Sequence, residues 1–387
     1  MRLNLALRIA LLAGTAVYGQ LPKSGTLSAE DERPFRAELS RLERLLETAT
    51  DKATVDYALA RTSAAGQQWP EAMQWLRRLD PRSGIDPSKD RIFAGLRGTV
   101  EFEEVVKSIR EAITPVANSR QAFRVAEGDL APESVAYDPD AKMFYFGSLR
   151  KGKVVRCSPG GACGDFLTGM GTILGLKVHG RNLWLLNNSD QESDVMIYEL
   201  HTGRIVGKHA VGAGHLLNDL VISPSGEAFF TDTRAGAVWH LAPGAQELGM
   251  LPGRFEFANG IAISSDAKWL YVSSFPDGVT VFDLRTHTAS ALQRPAGLCL
   301  ANVDGLYFYR GDLIAIQNGI MATRVIRIVL ARDEKSAVRF DVLERGNPLF
   351  DGVTTGVVVG KSFYFMANIQ DDRTTDFRPI SVLALRL

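Results

Sequence analysis

Residues 218–233, NDLVISPSGEAFFTDT, run from an oxygen-bearing side chain through a short apolar strand, a Ser-Pro-Ser-Gly turn and a second apolar strand. The same sentence is written five more times: ESVAYDPDAKMFYFGS from Glu133, LGLKVHGRNLWLLN from Leu174, NGIAISSDAKWLYVSS from Asn259, DGLYFYRGDLIAIQN from Asp304 and TGVVVGKSFYFMAN from Thr355. The starts lie 41 to 51 residues apart. Alternating apolar runs separated by turn clusters at that period predict a radial array of small antiparallel sheets, a six-bladed β-propeller over residues 119–387. The last unit holds only three strands, TGVVV, SFYFMA and the terminal SVLALRL. QAFRVAEG, ahead of the first unit, is expected to supply the fourth, so that both ends of the array are stitched into one blade and no sheet edge stays open.

Equivalent positions of successive blades converge near the propeller axis, which gives the lead residues their interest. Glu133, Asn218, Asn259 and Asp304 bring two carboxylates and two carboxamide oxygens to one region, whereas Leu174 and Thr355 bring none of that kind. Hard oxygen donors with a formal charge of minus two suit Ca²⁺ and also admit Mg²⁺, Mn²⁺ or Zn²⁺. Calcium takes about six to eight oxygens, so four protein ligands leave room for water and for a substrate oxygen. An isolated Asn or Asp before a strand ordinarily serves turn chemistry. Four oxygen donors in one register of a repeat read better as a cation site.

Ahead of the repeats the hydrophobic period changes from two to three or four. In SAEDERPFRAELSRLERLLETA, Ser28 is placed to cap a helix, and Phe35, Leu39, Leu42 and Leu46 form one apolar stripe. Further helices are expected in ATVDYALARTSAAG, from Trp69-Pro70 onward, and in VEFEEVVKSIREAI. A small all-α domain therefore spans residues 21–118. The stretch YALARTSAAGQQWPEAMQWLRRL resembles a tetratricopeptide-type helix pair, which implies a surface for a protein partner or, more in keeping with one repeat, a spacer that steadies the propeller. Residues 1–20, MRLNLALRIALLAGTAVYGQ, have the charged start, short apolar stretch and small-residue end of a signal peptide. The expectation is an exported protein, periplasmic or extracellular, with no membrane association once the signal is cleaved; an uncleaved anchor or a buried helix is the alternative.

The chain of 387 residues carries 44 basic and 44 acidic side chains, a balance that gives no field favouring nucleic acid or an anionic membrane. Cys157 and Cys163 flank the turn SPGGA. They form either a hairpin-closing disulfide or small apolar packing, with Cys299 a buried thiol. No GxSxG elbow and no GK[ST] phosphate loop occurs.

At PESVAYD, LNDLVISPSGEAFFTD, ANGIAISSDAKWLYVS and VDGLYF the chain resembles the senescence marker protein (regucalcin)/gluconolactonase family, which includes luciferin-regenerating-enzyme-like members. The resemblance covers roughly residues 133–368. It implies a six-bladed propeller with a calcium-type metal in the central channel, held here by Glu133, Asn218, Asn259 and Asp304, and hydrolysis of a small-molecule lactone or ester. One position departs from the pattern. Sugar-lactone hydrolases of the family often place an arginine two residues before the first asparagine, and here that residue is Leu216.

The expected chemistry is metal-assisted hydrolysis, with Asp304 as both ligand and proton acceptor and His215 as an alternative base or substrate contact. Asp219 either orients a ligand or caps its own turn. A non-enzymatic exported scaffold with a structural metal is the competing reading, because fold alone does not decide function.

Overall fold

A computed structural model describes residues 29–48, 52–274, 278–295, 298–318, 323–369 and 377–387. The signal-like stretch and the Ser28 cap lie outside them. Six antiparallel four-stranded sheets follow one another around an axis. The inner strands of blades one to six are Pro132–Asp138, Thr172–His179, Leu217–Ile222, Ile261–Ile263, Val303–Tyr309 and Gly356–Val359. Each packs beside the inner strand of the next blade, and the sixth returns to the first.

Alternation along the strands buries aromatic and aliphatic side chains between neighbouring blades. Leu176 and Leu185 of blade two meet Tyr145 and Val154 of blade one, Ile263 and Leu270 of blade four meet Phe229 and Val238 of blade three, and Phe363 and Phe365 of blade six meet Ile314 and Ile316 of blade five. Tyr145, Phe146, Phe229, Phe282 and Phe365 are fully enclosed. Each such side chain stabilises the fold by roughly 1.5–3 kcal/mol through apolar burial. The sixth blade is completed as the sequence predicts: Arg120–Val125 is its outermost strand, pairing antiparallel with Ile380–Arg386 from Arg120↔Ala384 to Val125↔Ile380. In blade one, Cys157 and Cys163 face each other across the third and fourth strands and are joined as a disulfide, which settles the choice the sequence left open.

Among the described residues, four helices precede the blades: α1 (Ala29–Thr48), α2 (Lys52–Ala65), α3 (Trp69–Leu76) and α4 (Val100–Ala112). Phe35 and Leu42 of the α1 stripe are buried, α3 carries Pro70 in its first turn, and the hydroxyl of Thr99 accepts the Phe102 N–H to cap α4. Between α3 and α4 run three 3₁₀ turns, so the helix pair does not continue as a regular array among the described residues. No described helix is long and apolar enough to cross a membrane.

The helical region is docked on the propeller. Its core of Tyr57, Ala60, Ala72, Leu76, Phe93 and Phe102 includes Cys299 and Ala301 from the segment that enters the inner strand of blade five. Arg324, fully buried, sits 3.4 Å from the Cβ position of Gly84 and donates to Gln317 Oε1 at 2.7 Å and to the Cys299 carbonyl at 3.3 Å. The linker to the first strand is pinned as well. Glu344, fully buried on the outer strand of blade five, accepts the N–H groups of Asn118 at 2.7 Å and Ser119 at 2.8 Å. Asp304 lies one residue inside that same entry, so the helices sit at the end of the propeller where the lead residues are.

Candidate functional site

Each lead residue stands at or just before the start of an inner strand, where adjacent blades approach most closely. Gly260 follows Asn259, and a Cβ built there would lie 2.1 Å from the Asp304 carbonyl oxygen. Gly305 follows Asp304, and its Cβ would lie 2.9 Å from the Thr354 carbonyl and 2.7 Å from the Tyr307 hydroxyl. The Thr355 hydroxyl in turn donates to the Glu133 carbonyl at 2.9 Å, closing the ring from blade six to blade one. The small residue after the lead is thus a requirement of blade-to-blade contact. Glu133 and Asp304 are buried, whereas Asn218 and Asn259 keep partial exposure.

A second set of polar residues, at the ends of the second strands, clamps the backbone just ahead of the next lead. Asn188 exchanges hydrogen bonds with both Leu217 backbone groups, its Nδ2 donating at 2.9 Å and its Oδ1 accepting at 2.8 Å. Thr233 donates to the Ala258 carbonyl at 2.6 Å, and Asn318 donates to the Val353 carbonyl at 2.9 Å. These residues also orient the leads. The Asn218 Nδ2 donates to Thr233 Oγ1 at 2.8 Å, which turns its Oδ1 away from that wall, and Asn318 Nδ2 donates to Asp304 Oδ2.

His215 has a partner that the sequence reading did not find. Its Nδ1 lies 2.5 Å from Oδ2 of Asp232, at the end of the second strand of the same blade. Burial pushes the Asp232 carboxyl up, but N–H donors from Ala235, His215, Leu216 and Trp239 outweigh it and hold the group below the ordinary carboxylate range. An ionised Asp232 can only accept, so Nδ1 carries the proton and Nε2 is left as the basic atom. Trp239 packs edge-on against the imidazole with centroids 5.7 Å apart, and the ring remains one-quarter exposed. His215 is therefore held by Asp232 and Trp239 and stays partly accessible.

One step deeper in the channel lies Lys177, from the inner strand of blade two. Its Nζ is 3.5 Å from Asp219 Oδ1 on blade three and 5.3 Å from the ring centre of Tyr307 on blade five, directly across the axis. Tyr307 is surrounded by protein yet keeps some accessible surface, as a side chain lining a narrow channel does. Its hydroxyl accepts the Gly356 N–H at 2.7 Å. Burial first, then the negative charges of Asp219 and Asp304, hold the phenol well above its ordinary pKa, so it stays neutral. Asp219 caps its own turn and reaches the next blade. Its Oδ1 accepts the Leu220 N–H at 2.8 Å within its own turn, and its Oδ2 receives the Ile261 N–H of the next blade at 3.5 Å.

Among the described residues no three His, Cys, Asp or Glu side chains gather as a metal cluster. The lead set contains two carboxylates and two amides, so it falls outside such a grouping. The missed residues Asp232, Thr233 and Asn318 did leave a trace in the sequence: a polar residue ends the second strand of every unit, as in FGS, LLNN, FTDT, VSS, IQN and MAN. Lys177 and Tyr307 left none, because each sits within an ordinary apolar alternation.

No family model and no curated protein matches the sequence. Solved structures do match the fold. A gluconolactonase from Xanthomonas campestris aligns with a TM-score of 0.53 at 18% identity, over 70% of this chain and 97% of its own. Regucalcin from Agrobacterium tumefaciens, a calcium-binding protein, aligns at 0.53 and 14%, over 71% and 97%. An aldose sugar dehydrogenase from Streptomyces coelicolor, with PQQ bound, aligns at 0.50 and 14%, over 70% and 100%. At these identities the likeness establishes the six-bladed propeller, a fold that serves proteins of different chemistry.

Proposed function

We propose that the chain is a metal-dependent hydrolase of lactones or related esters. The observation that supports this reading is that four oxygen-bearing leads stand at the starts of the inner strands of four blades, with a histidine three residues before one of them hydrogen-bonded to a buried aspartate. The gluconolactonase and regucalcin structures that share the fold support the same direction.

The donor set fits a divalent cation. Glu133 and Asp304 supply buried carboxylates, and Asn218 is turned by Thr233 so that its carbonyl rather than its amide end is presented. Asn259 completes the set, and hard oxygens with partial access match calcium better than a softer ion. When bound, such a cation would supply Lewis acidity toward a substrate carbonyl and lower the pKa of a coordinated water.

The remaining work falls to the chain. Asp304, fixed by Asn318, holds negative charge in the ring. His215 takes the proton of the attacking water at Nε2, and Asp232 stabilises the imidazolium that forms while keeping the tautomer correct. Neutral Tyr307 and the Lys177 ammonium fill the channel below.

The test is cation analysis of the purified protein together with turnover of a panel of lactones and aryl esters, before and after chelation. Chelator-sensitive turnover that disappears in Asp304→Ala, with the circular dichroism unchanged, is the expected result. A tightly held ion with no turnover across the panel would point to a scaffold with a structural metal and refute the hydrolase.

A further inference from the structure

We infer that a cleft beside the ring selects substrates that carry a carboxylate on a small apolar body. This rests on the hydrolase reading and specifies its substrate class. The cleft has a volume of about 270 Å³ and is lined by Leu216, Thr233, Arg234, Arg254, Glu256 and Phe257. Its walls belong to segments that already carry the chemistry. Leu216 adjoins His215 and donates its N–H to Asp232, while Thr233 holds the Asn218 amide and the Ala258 carbonyl next to Asn259. A ligand in this cleft would therefore touch residues adjacent in sequence to His215 and just ahead of Asn259, and Thr233, which holds the Asn218 amide.

Three features fix the chemistry it would accept. The first is charge: Arg234 and Arg254 are both exposed, and neither forms a hydrogen bond or ion pair among the described residues. Glu256 lies in the same cleft, but its charge also faces Arg41 of α1, so two guanidinium groups stand against one carboxylate. The excess of one positive charge matches a carboxylate better than a dianionic phosphate, and a guanidinium fork is built for a planar carboxylate. The second is polarity. Leu216 and Phe257 give apolar walls where a polyhydroxylated sugar lactone would need hydrogen-bonding partners. The third is backbone strain at Phe257, whose φ of 57° puts an aromatic residue in the left-handed region. Such a conformation costs on the order of 1–3 kcal/mol and collects at ligand sites, and here it turns a half-buried ring toward the cleft just ahead of Asn259. The volume is small for a ligand pocket, which limits the body to a small fused ring system at most.

The experiment compares 3-carboxyphthalide, a benzo-fused lactone bearing a carboxylate, with its neutral methyl ester, on the full chain in calcium buffer. Wild type should prefer the carboxylate in kcat/KM by about ten- to hundred-fold, the discrimination that loss of one charge-assisted hydrogen bond allows. Arg234→Gln with Arg254→Gln should bring the ratio close to one, and Arg234→Glu should reverse it. Binding of phenylacetate, followed by calorimetry, provides an arm that needs no turnover. Phenylacetate binding that vanishes in the double variant, without lactone turnover in any form, would uphold the cleft and overturn the hydrolase. Turnover of both lactones with equal efficiency, or a preference that survives the double variant, would overturn the cleft and leave the hydrolase standing.

Discussion

Replacing Gly260 by alanine adds one methyl group at the closest approach of two blades, and the structure gives the size of the problem. The new Cβ would lie 2.1 Å from the Asp304 carbonyl oxygen, 3.0 Å from the Leu306 nitrogen and 3.1 Å from the Asp304 carbonyl carbon, where ordinary contacts begin near 3.4 Å. All three atoms are backbone, so no rotamer change relieves the overlap. The inner strands of blades four and five must separate by about 1 Å, and the expected cost is about 2–3 kcal/mol, the upper part of the range for adding a methylene to a packed core. Urea unfolding monitored by tryptophan fluorescence should show the loss as a lower midpoint at unchanged slope. Gly164, on an exposed outer strand with nothing within 4 Å of its Cβ position, is the control, and Gly164→Ala should stay within about 0.5 kcal/mol of wild type. Because the overlap pushes Asn259 away from Asp304, calcium affinity measured by calorimetry should fall by about tenfold or more. If Gly260→Ala matches the Gly164→Ala control in both stability and calcium affinity, the leads of blades four and five do not share a site, and the ring described above is wrong.

Asp232→Asn should lower turnover by about 10²- to 10⁴-fold, because an amide facing Nδ1 no longer dictates the tautomer that leaves Nε2 basic. The folded carboxylate titrates below its unfolded value of about 3.9, so its contribution is complete above that pH and disappears as the pH falls through the folded value. The variant should accordingly lose pH-dependent stability on the acid limb, and an unaltered acid limb would refute the Asp232 assignment. Lys177→Met removes the ammonium beside buried Asp219, with an expected loss of about 1–3 kcal/mol in chemical denaturation, since Asp219 keeps its two N–H donors. Reducing the Cys157–Cys163 bridge, which closes a short loop with a sequence separation of 6, should cost only about 2 kcal/mol and leave turnover intact. Removal of residues 380–387 should prevent closure of the sixth blade and give a species that binds a hydrophobic dye, checked by scattering and fluorescence.

The architecture was legible because a blade is a local object. A strand, a turn and a second strand lie within about 16 residues, and period-two alternation records which face is buried, so all six units and the shared closing blade could be placed. The leads could be placed for the same reason, since they keep one register in the repeat. What stayed hidden was the lateral chemistry between blades. Asp232 is 17 residues from His215 in the chain, and only the pairing of Leu217 with Asp232 brings the two together. Lys177, Asp219 and Tyr307 come from three different blades. Their association depends on the circular order of the inner strands, which no local window contains. The docking of the helices was hidden likewise: Cys299 reads as a lone thiol until Tyr57, Phe93 and Phe102 are seen around it. Leu216 read as a departure from a sugar-binding pattern, and in the structure it is a wall of an apolar cleft with arginines beside it.

The strand Arg120–Val125 is synthesised before any other part of the propeller, yet its partner Ile380–Arg386 is the last propeller strand in chain order. At about 5–20 residues per second, the roughly 250 residues between them keep the early strand waiting on the order of 13–50 seconds. During that interval Phe123 and Val125 have no companion strand, and the nascent chain is exposed to capture by a neighbouring copy on the same message. The anchoring of Asn118 and Ser119 to Glu344 becomes available when blade five emerges, some tens of residues before the partner strand Ile380–Arg386. That contact would then hold the waiting strand near its eventual place until its partner arrives.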